Sequence, residues 1–123
     1  IHLRRAALGK AQVGAQFHLV LYWQAIAPVG GRYTVFTQVL NEAGQLVAQQ
    51  DNAPAAGQAP TDAWQPGAVV RDPFVLGLPA DLPPGDYRLI VGLYDEAGRL
   101  RWQLPNGETD DHVGFELRVA SDE

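Results

Sequence analysis

Apolar and polar residues alternate along much of this chain, which is the period of a strand with one face turned to a core. In residues 17–24, Phe17, Leu19, Leu21 and Trp23 fall on one side. Val113, Phe115, Leu117 and Val119 form a second stripe, with Glu116 and Arg118 opposite. Tyr87, Leu89, Val91 and Leu93 make a third, and Tyr33, Val35, Thr37 and Val39 a fourth. Residues 69–78 predict another strand with Val70, Phe74, Leu76 and Leu78 inward. Pro73 has no N–H for a ladder, so that strand is expected at an edge or bulged. Shorter strands are expected at 45–50 and 99–104. No segment carries a helical period of useful length.

Residues 33–49 (YTVFTQVLNEAGQLVAQ) and 87–103 (YRLIVGLYDEAGRLRWQ) align without a gap, matching at Tyr33/Tyr87, Glu42/Glu96, Ala43/Ala97, Gly44/Gly98, Leu46/Leu100 and Gln49/Gln103. Each copy reads as a β-hairpin. Its turn begins with Asn41 or Asp95, whose side chain bonds its own backbone, and closes on a glycine that tolerates positive φ. Residues 52–61 (NAPAAGQAPT) are rich in Ala, Pro and Gly and read as a loop carrying the chain between sheets. Seven or eight short strands punctuated by turns predict an all-β fold of two antiparallel sheets, a β-sandwich. Leu82-Pro83-Pro84-Gly85-Asp86-Tyr87 leads into the strongest alternating strand and resembles the tyrosine corner of immunoglobulin-like and fibronectin type III-like sandwiches, in which a Tyr hydroxyl bonds back to the preceding corner.

The chain has 123 residues, enough for one domain with a real core. It holds no cysteine, which removes disulfides, thiolate metal sites and cysteine nucleophiles. It also holds no methionine and opens within a strand pattern, so the expectation is a domain excised from a longer protein. Net charge is −5, with a single lysine, Lys10, and Arg4-Arg5 as the one basic doublet. Nucleic acid binding needs clustered cations and is not expected. No apolar run reaches the roughly 18–20 residues that span a bilayer, so no direct membrane insertion is expected of this chain.

Leu21-Tyr22-Trp23-Gln24-Ala25, Tyr33-Thr34-Val35-Phe36, Trp64-Gln65-Pro66-Gly67, Leu78-Pro79-Ala80-Asp81-Leu82-Pro83-Pro84-Gly85 and Val91-Gly92-Leu93-Tyr94-Asp95 occur in that order. The set resembles a domain at the C-terminal, extracytoplasmic end of bacterial multi-spanning membrane proteins similar to glycosyltransferases of the dolichyl-phosphate-mannose mannosyltransferase type. The resemblance runs from about Gly14 to Tyr94. It departs at Thr61-Asp62-Ala63, where a Ser or Arg is expected before the Trp. It implies an extracytoplasmic position on a membrane-attached protein, and no particular activity.

Catalytic chemistry finds few carriers. Ser121 is the sole serine, near the end of the chain, and a serine triad is not expected. Thr34 and Thr37 are ordinary strand residues. His2, His18 and His112 lie in separate strands without ligand-like spacing, and His18 should face outward. Glu108-Thr109-Asp110-Asp111-His112 is the best candidate for a hard cation such as calcium, which wants several oxygens gathered by one loop. An acidic turn is the simpler reading, and no metal or other cofactor is implied. Asp51, Asp62, Asp81, Asp86 and Asp95 fall where Asp favours turns, which sets them against a paired-carboxylate hydrolase.

Aromatic residues give the remaining handles. Trp23 reads as the core tryptophan. Trp64 in a loop and Trp102 in a return strand read as packed anchors or, alternatively, as exposed platforms for glycan. If the central strands of the two hairpins are neighbours, their second faces place Phe36, Gln38 and Leu40 beside Arg88, Ile90 and Tyr94, with Tyr22 similarly placed on its own strand. Broad apolar patches are rarely left exposed. Return strands and loops cover this one, or a partner does. The expectation is a non-catalytic accessory or interaction domain of a larger bacterial membrane protein, its candidate partner-binding residues being Trp64, Trp102, Tyr22, Phe36 and Tyr94. The partner is the rest of the parent chain, another protein or a glycan. A carbohydrate-binding module and a carboxylate hydrolase are the alternatives.

Overall fold

A computed structural model describes residues 1–103 and 109–121. The chain is all-β. Its strands are β1 (His2–Leu8), β2 (Ala11–Gln12), β3 (Gln16–Gln24), β4 (Thr34–Leu40), β5 (Leu46–Asn52), β6 (Val69–Gly77), β7 (Gly85–Asp95), β8 (Gly98–Arg99), β9 (Trp102–Gln103), β10 (Thr109–Asp110) and β11 (Val113–Ala120). Two short 3-10 turns, Pro54–Gly57 and Thr61–Ala63, lie between β5 and β6. One sheet has the order β1-β3-β6, and a larger, curled sheet has the order β2-β11-β7-β4-β5 with β8 beside β7. A small ribbon joins β9 and β10.

The alternating stripes meet between the two sheets. Phe17, Leu19, Leu21 and Trp23 of β3 are buried against Val35 and Val39 of β4, Leu89, Val91 and Leu93 of β7 and Leu117 and Val119 of β11. A fully buried Leu, Val or Phe contributes about 1.5–3 kcal/mol, and this shared filling is what binds one sheet to the other. Val113, Phe115 and Tyr87 point the same way but are only partly covered. Pro73 sits in β6, an edge strand, paired without a shift opposite Val20.

The two related segments place their first strands side by side. β4 and β7 pair antiparallel from Thr34↔Tyr94 to Leu40↔Arg88. Both turns close as their residues dictate. Gly44 (φ 80°) donates to the Asn41 carbonyl at 2.9 Å, and Ala97 N–H donates to Asp95 Oδ1 at 2.9 Å. The copies then diverge. β5 runs the length of β4, whereas β8 pairs with β7 only at Tyr94↔Arg99 and Asp95↔Gly98. The reason is occupancy: β11 already pairs with β7 from Gly85 to Val91, so the return strand leaves to form β9. Leu104, expected at the end of that strand, lies outside the described residues. The corner before β7 forms as anticipated, with the Tyr87 hydroxyl donating to the Pro83 carbonyl.

The loop between β5 and β6 does cross from the larger sheet to the smaller. Ala55 and Ala56 both lie in the left-handed region (φ 53° and 55°), a conformation that costs a residue with a Cβ about 1–2 kcal/mol. Among the described residues no helix is long and apolar enough to cross a membrane.

Candidate functional site

The five candidate residues separate into three places. Trp64 and Trp102 belong to the core, each only 5% exposed. They flank Trp23, with ring centroids 6.5 Å and 5.5 Å away. Trp64 is anchored by its indole N–H, which donates to the Ala59 carbonyl at 2.8 Å. Its loop is fixed by Thr61, whose hydroxyl accepts from Tyr33 N–H at 3.0 Å and donates to the Gly31 carbonyl at 2.6 Å. Thr61 is where the sequence departs from the resemblance, and here the hydroxyl ties the loop to the strand that follows Arg32. Neither ring is exposed as the glycan-platform alternative expected: Trp64, in its loop, and Trp102, in β9, both pack against Trp23.

Tyr22 stands on the outer face of the smaller sheet. The Arg5 guanidinium lies 4.5 Å from its ring centroid. Arg5 and, less strongly, Arg71 hold the Tyr22 hydroxyl below the usual phenol range.

Phe36 and Tyr94 come together on the outer face of the larger sheet, centroids 6.3 Å apart. Phe36 is only 2% exposed although it points away from the main core. Strand β8 supplies its cover: the Arg99 guanidinium lies 4.3 Å above the Phe36 ring. The Asp111 backbone closes another side, and Gly92 leaves the space for the ring, since a Cβ there would meet Phe36 and the Asp111 carbonyl. Phe36, at the centre of the second face, is thus covered by the return strand and the β10–β11 connection. Tyr94 donates its hydroxyl to Asp51 Oδ2 at 2.8 Å, and that carboxylate raises the Tyr94 phenol above its usual range.

Asp110, Asp111 and His112 gather beside Arg99, each offering a ligand atom within 4.8 Å of the others. His112 Nδ1 lies 2.7 Å from Asp111 Oδ1, and Arg99 lies 3.8 Å from the same oxygen. His112 and then Arg99 hold the Asp111 carboxyl below the ordinary range. Two of the three groups offer oxygen, the atom calcium takes, and the third a ring nitrogen. The carboxylate nearest His112 is already shared with two cationic or hydrogen-bonding side chains. Glu108, the first residue of that candidate loop, lies outside the described residues.

One notable group did not figure among the candidates. Asp72 is 0% exposed and points into the core from β6. Its Oδ2 accepts from Trp23 Nε1 at 3.1 Å, and its Oδ1 accepts from Ala55 N–H at 3.0 Å. Burial raises the carboxyl to about 6, against the lowering effect of those two donors. Both oxygens are committed within the core, so Asp72 ties the strained loop to β6 and is not presented to a substrate. Strand alternation was the available signal, since Asp72 lies midway between Val70 and Phe74 on the inward stripe.

The sequence matches no family model and none of the curated proteins.

Proposed function

We propose that this chain is a non-catalytic interaction domain with an immunoglobulin-like, fibronectin type III-like sandwich fold, an accessory unit of a larger bacterial membrane-attached protein on its extracytoplasmic side. The ordered segments from Gly14 to Tyr94 support the attachment and its side, through the resemblance set out above. The Tyr87 corner and the two sheets around a Trp-centred core support the fold.

The observation that carries the interaction role is the Tyr94–Arg99 surface. Tyr and Arg are the side chains most used to anchor protein interfaces. Here both are held in place before any partner arrives: Tyr94 by Asp51, and Arg99 by the Phe36 ring and Asp111. Ordering side chains in advance removes part of the entropic cost of association. The partner is the remainder of the parent chain or another protein.

A photo-crosslinking residue placed at Glu96, on the exposed turn beside Arg99, in the intact parent protein in its membrane, tests this. It should give a discrete adduct that disappears in Tyr94→Ala. The same residue at exposed His18, on the smaller sheet, should give none. Equal labelling from both positions would dismiss the proposed surface.

A further inference from the structure

Sheets that leave strand edges open risk pairing with other chains, and among the described residues three of the four edges of the two larger sheets are blunted. In β1 the register shifts between Leu3 and Arg5, leaving Arg4 as an extra residue. In β5, Val39 pairs with Ala48 and Leu40 with Leu46, so Val47 is the extra residue. In β6, Pro73 lacks a donor. The fourth edge, along β11, has no bulge and no proline: its pairing with β7 runs without a shift from Val113 to Val119. β2 covers only the end of that edge, at Val119 and Ala120. Among the described residues, 113–117 have no strand on that side.

The direction of the free groups follows from one bond. The Ala120 carbonyl accepts from Val13 N–H at 3.0 Å, so it points toward the β2 side. Backbone groups in a strand point to alternate sides with a period of two. The N–H and C=O of Gly114 and Glu116 therefore face the same open side. The side chains beside them are also unspent. Arg118 is engaged by Asp86 at 2.8 Å. Arg88 and Glu116 sit opposite one another in the β7–β11 register, yet neither has an ion pair among the described residues. The Arg88 guanidinium lies across Gly114, so that a Cβ there would collide with it. The outer face next to the edge is an open groove of about 680 Å³ that includes Arg88, Gly114 and Glu116.

From this we infer that residues 113–117 of β11 pair antiparallel with the same residues of a second copy of this chain, centred on Phe115. In that register Gly114 faces Glu116 of the second copy, and both are residues whose backbone groups point outward. Each Glu116 carboxylate arrives beside the Arg88 that spans Gly114, giving two symmetric ion pairs. Phe115 meets Phe115, and Val113 meets Leu117, extending the partly covered apolar layer. Centring the pair one residue later sets Glu116 against Glu116, which is unfavourable. It also drives Val113 of one copy into the place that β2 holds beside Val119. The contact is the same patch on both copies, so it closes as a dimer and does not propagate.

The absence of cysteine makes a single introduced thiol a clean reporter. Phe115 forms the non-hydrogen-bonded central pair, where Cα atoms stand about 4.5 Å apart, within disulfide range. Phe115→Cys should oxidise to a covalent dimer at least tenfold faster than Gln58→Cys, which is exposed on the loop between β5 and β6. Sedimentation should show a reversible dimer for the parent sequence. Glu116→Arg should weaken it tenfold or more, and Arg88→Glu combined with Glu116→Arg should restore it, with unchanged circular dichroism throughout. A monomer at every concentration, equal oxidation rates at 115 and 58, or a dimer indifferent to the charge swap would each overturn the pairing. So would a monomer that captures an extended peptide along β11.

Discussion

Trp23 donates its indole N–H to Asp72 Oδ2 at 3.1 Å, and both residues are wholly buried. The bond joins the central tryptophan of the core to the strand that receives the crossing loop. It also places a titratable group where water does not reach.

Stability should therefore depend on pH through Asp72. Burial raises its carboxyl from 3.8 to about 6. A raised carboxyl holds its proton more tightly in the folded chain than in the unfolded one. Its contribution is fully present below about pH 4 and is lost as pH rises through about 6. Going from pH 7 to pH 4.5 should add about 2 kcal/mol from this group. Asp111, which is lowered, acts in the opposite sense but only at more acid pH. Urea unfolding followed by tryptophan emission checks this: Asp72→Asn should flatten the rise between pH 7 and 4.5. A parallel slope in the variant would assign the effect elsewhere.

Tyr87→Phe removes the hydroxyl that ties the corner to the Pro83 carbonyl. The ring stays packed against the core, so the loss should be that of one hydrogen bond, about 1 kcal/mol. Equilibrium denaturation should show a lower midpoint with an unchanged slope. Tyr33→Phe should cost less, because Tyr33 is tied by its backbone N–H to Thr61.

Gly92→Ala forces a methyl group against Phe36 and the Asp111 carbonyl. The ring must shift and release Arg99, at a cost of about 1–3 kcal/mol. Adding Phe36→Leu should recover part of that loss by opening space. If the double variant were worse than the sum of its parts, the Phe36–Gly92 contact would not be the cause.

Ala55→Gly and Ala56→Gly should raise stability by as much as about 1 kcal/mol each, against the usual loss for this change. Glycine relieves the left-handed backbone at both positions, which outweighs its greater freedom when unfolded. Thermal unfolding of the two variants beside Ala68→Gly in an ordinary loop gives the comparison.

Period-two alternation carries most of this architecture in the residues themselves. The inward stripes of β3, β4, β7 and β11 are where the pattern puts them, and Pro73 announces an edge. Asp72 was equally legible, since it occupies the stripe between Val70 and Phe74. Its charge makes the pattern look broken there, until Trp23 and Ala55 supply donors. What a linear pattern lacks is long-range occupancy. Nothing near Arg99 says that β11 takes the side of β7 its own hairpin needed. The covering of Phe36 is likewise assembled from three distant pieces, β8, Gly92 and the Asp111 backbone. Trp64 and Trp102 pointed to a loop and a return strand, and only the fold of those segments turns the rings inward.

The first dozen residues serve both layers: β1 adds to the smaller sheet, then the chain crosses at Gly9, whose N–H donates to the His18 carbonyl at 2.8 Å, and β2 joins the larger. Because β2 lies parallel to β11, drawing Ile1 and Ser121 apart slides those two strands past each other and strains their bonds together, not one after another. A tether at either end thus meets a lap joint, and tension along the chain is resisted before the layers separate.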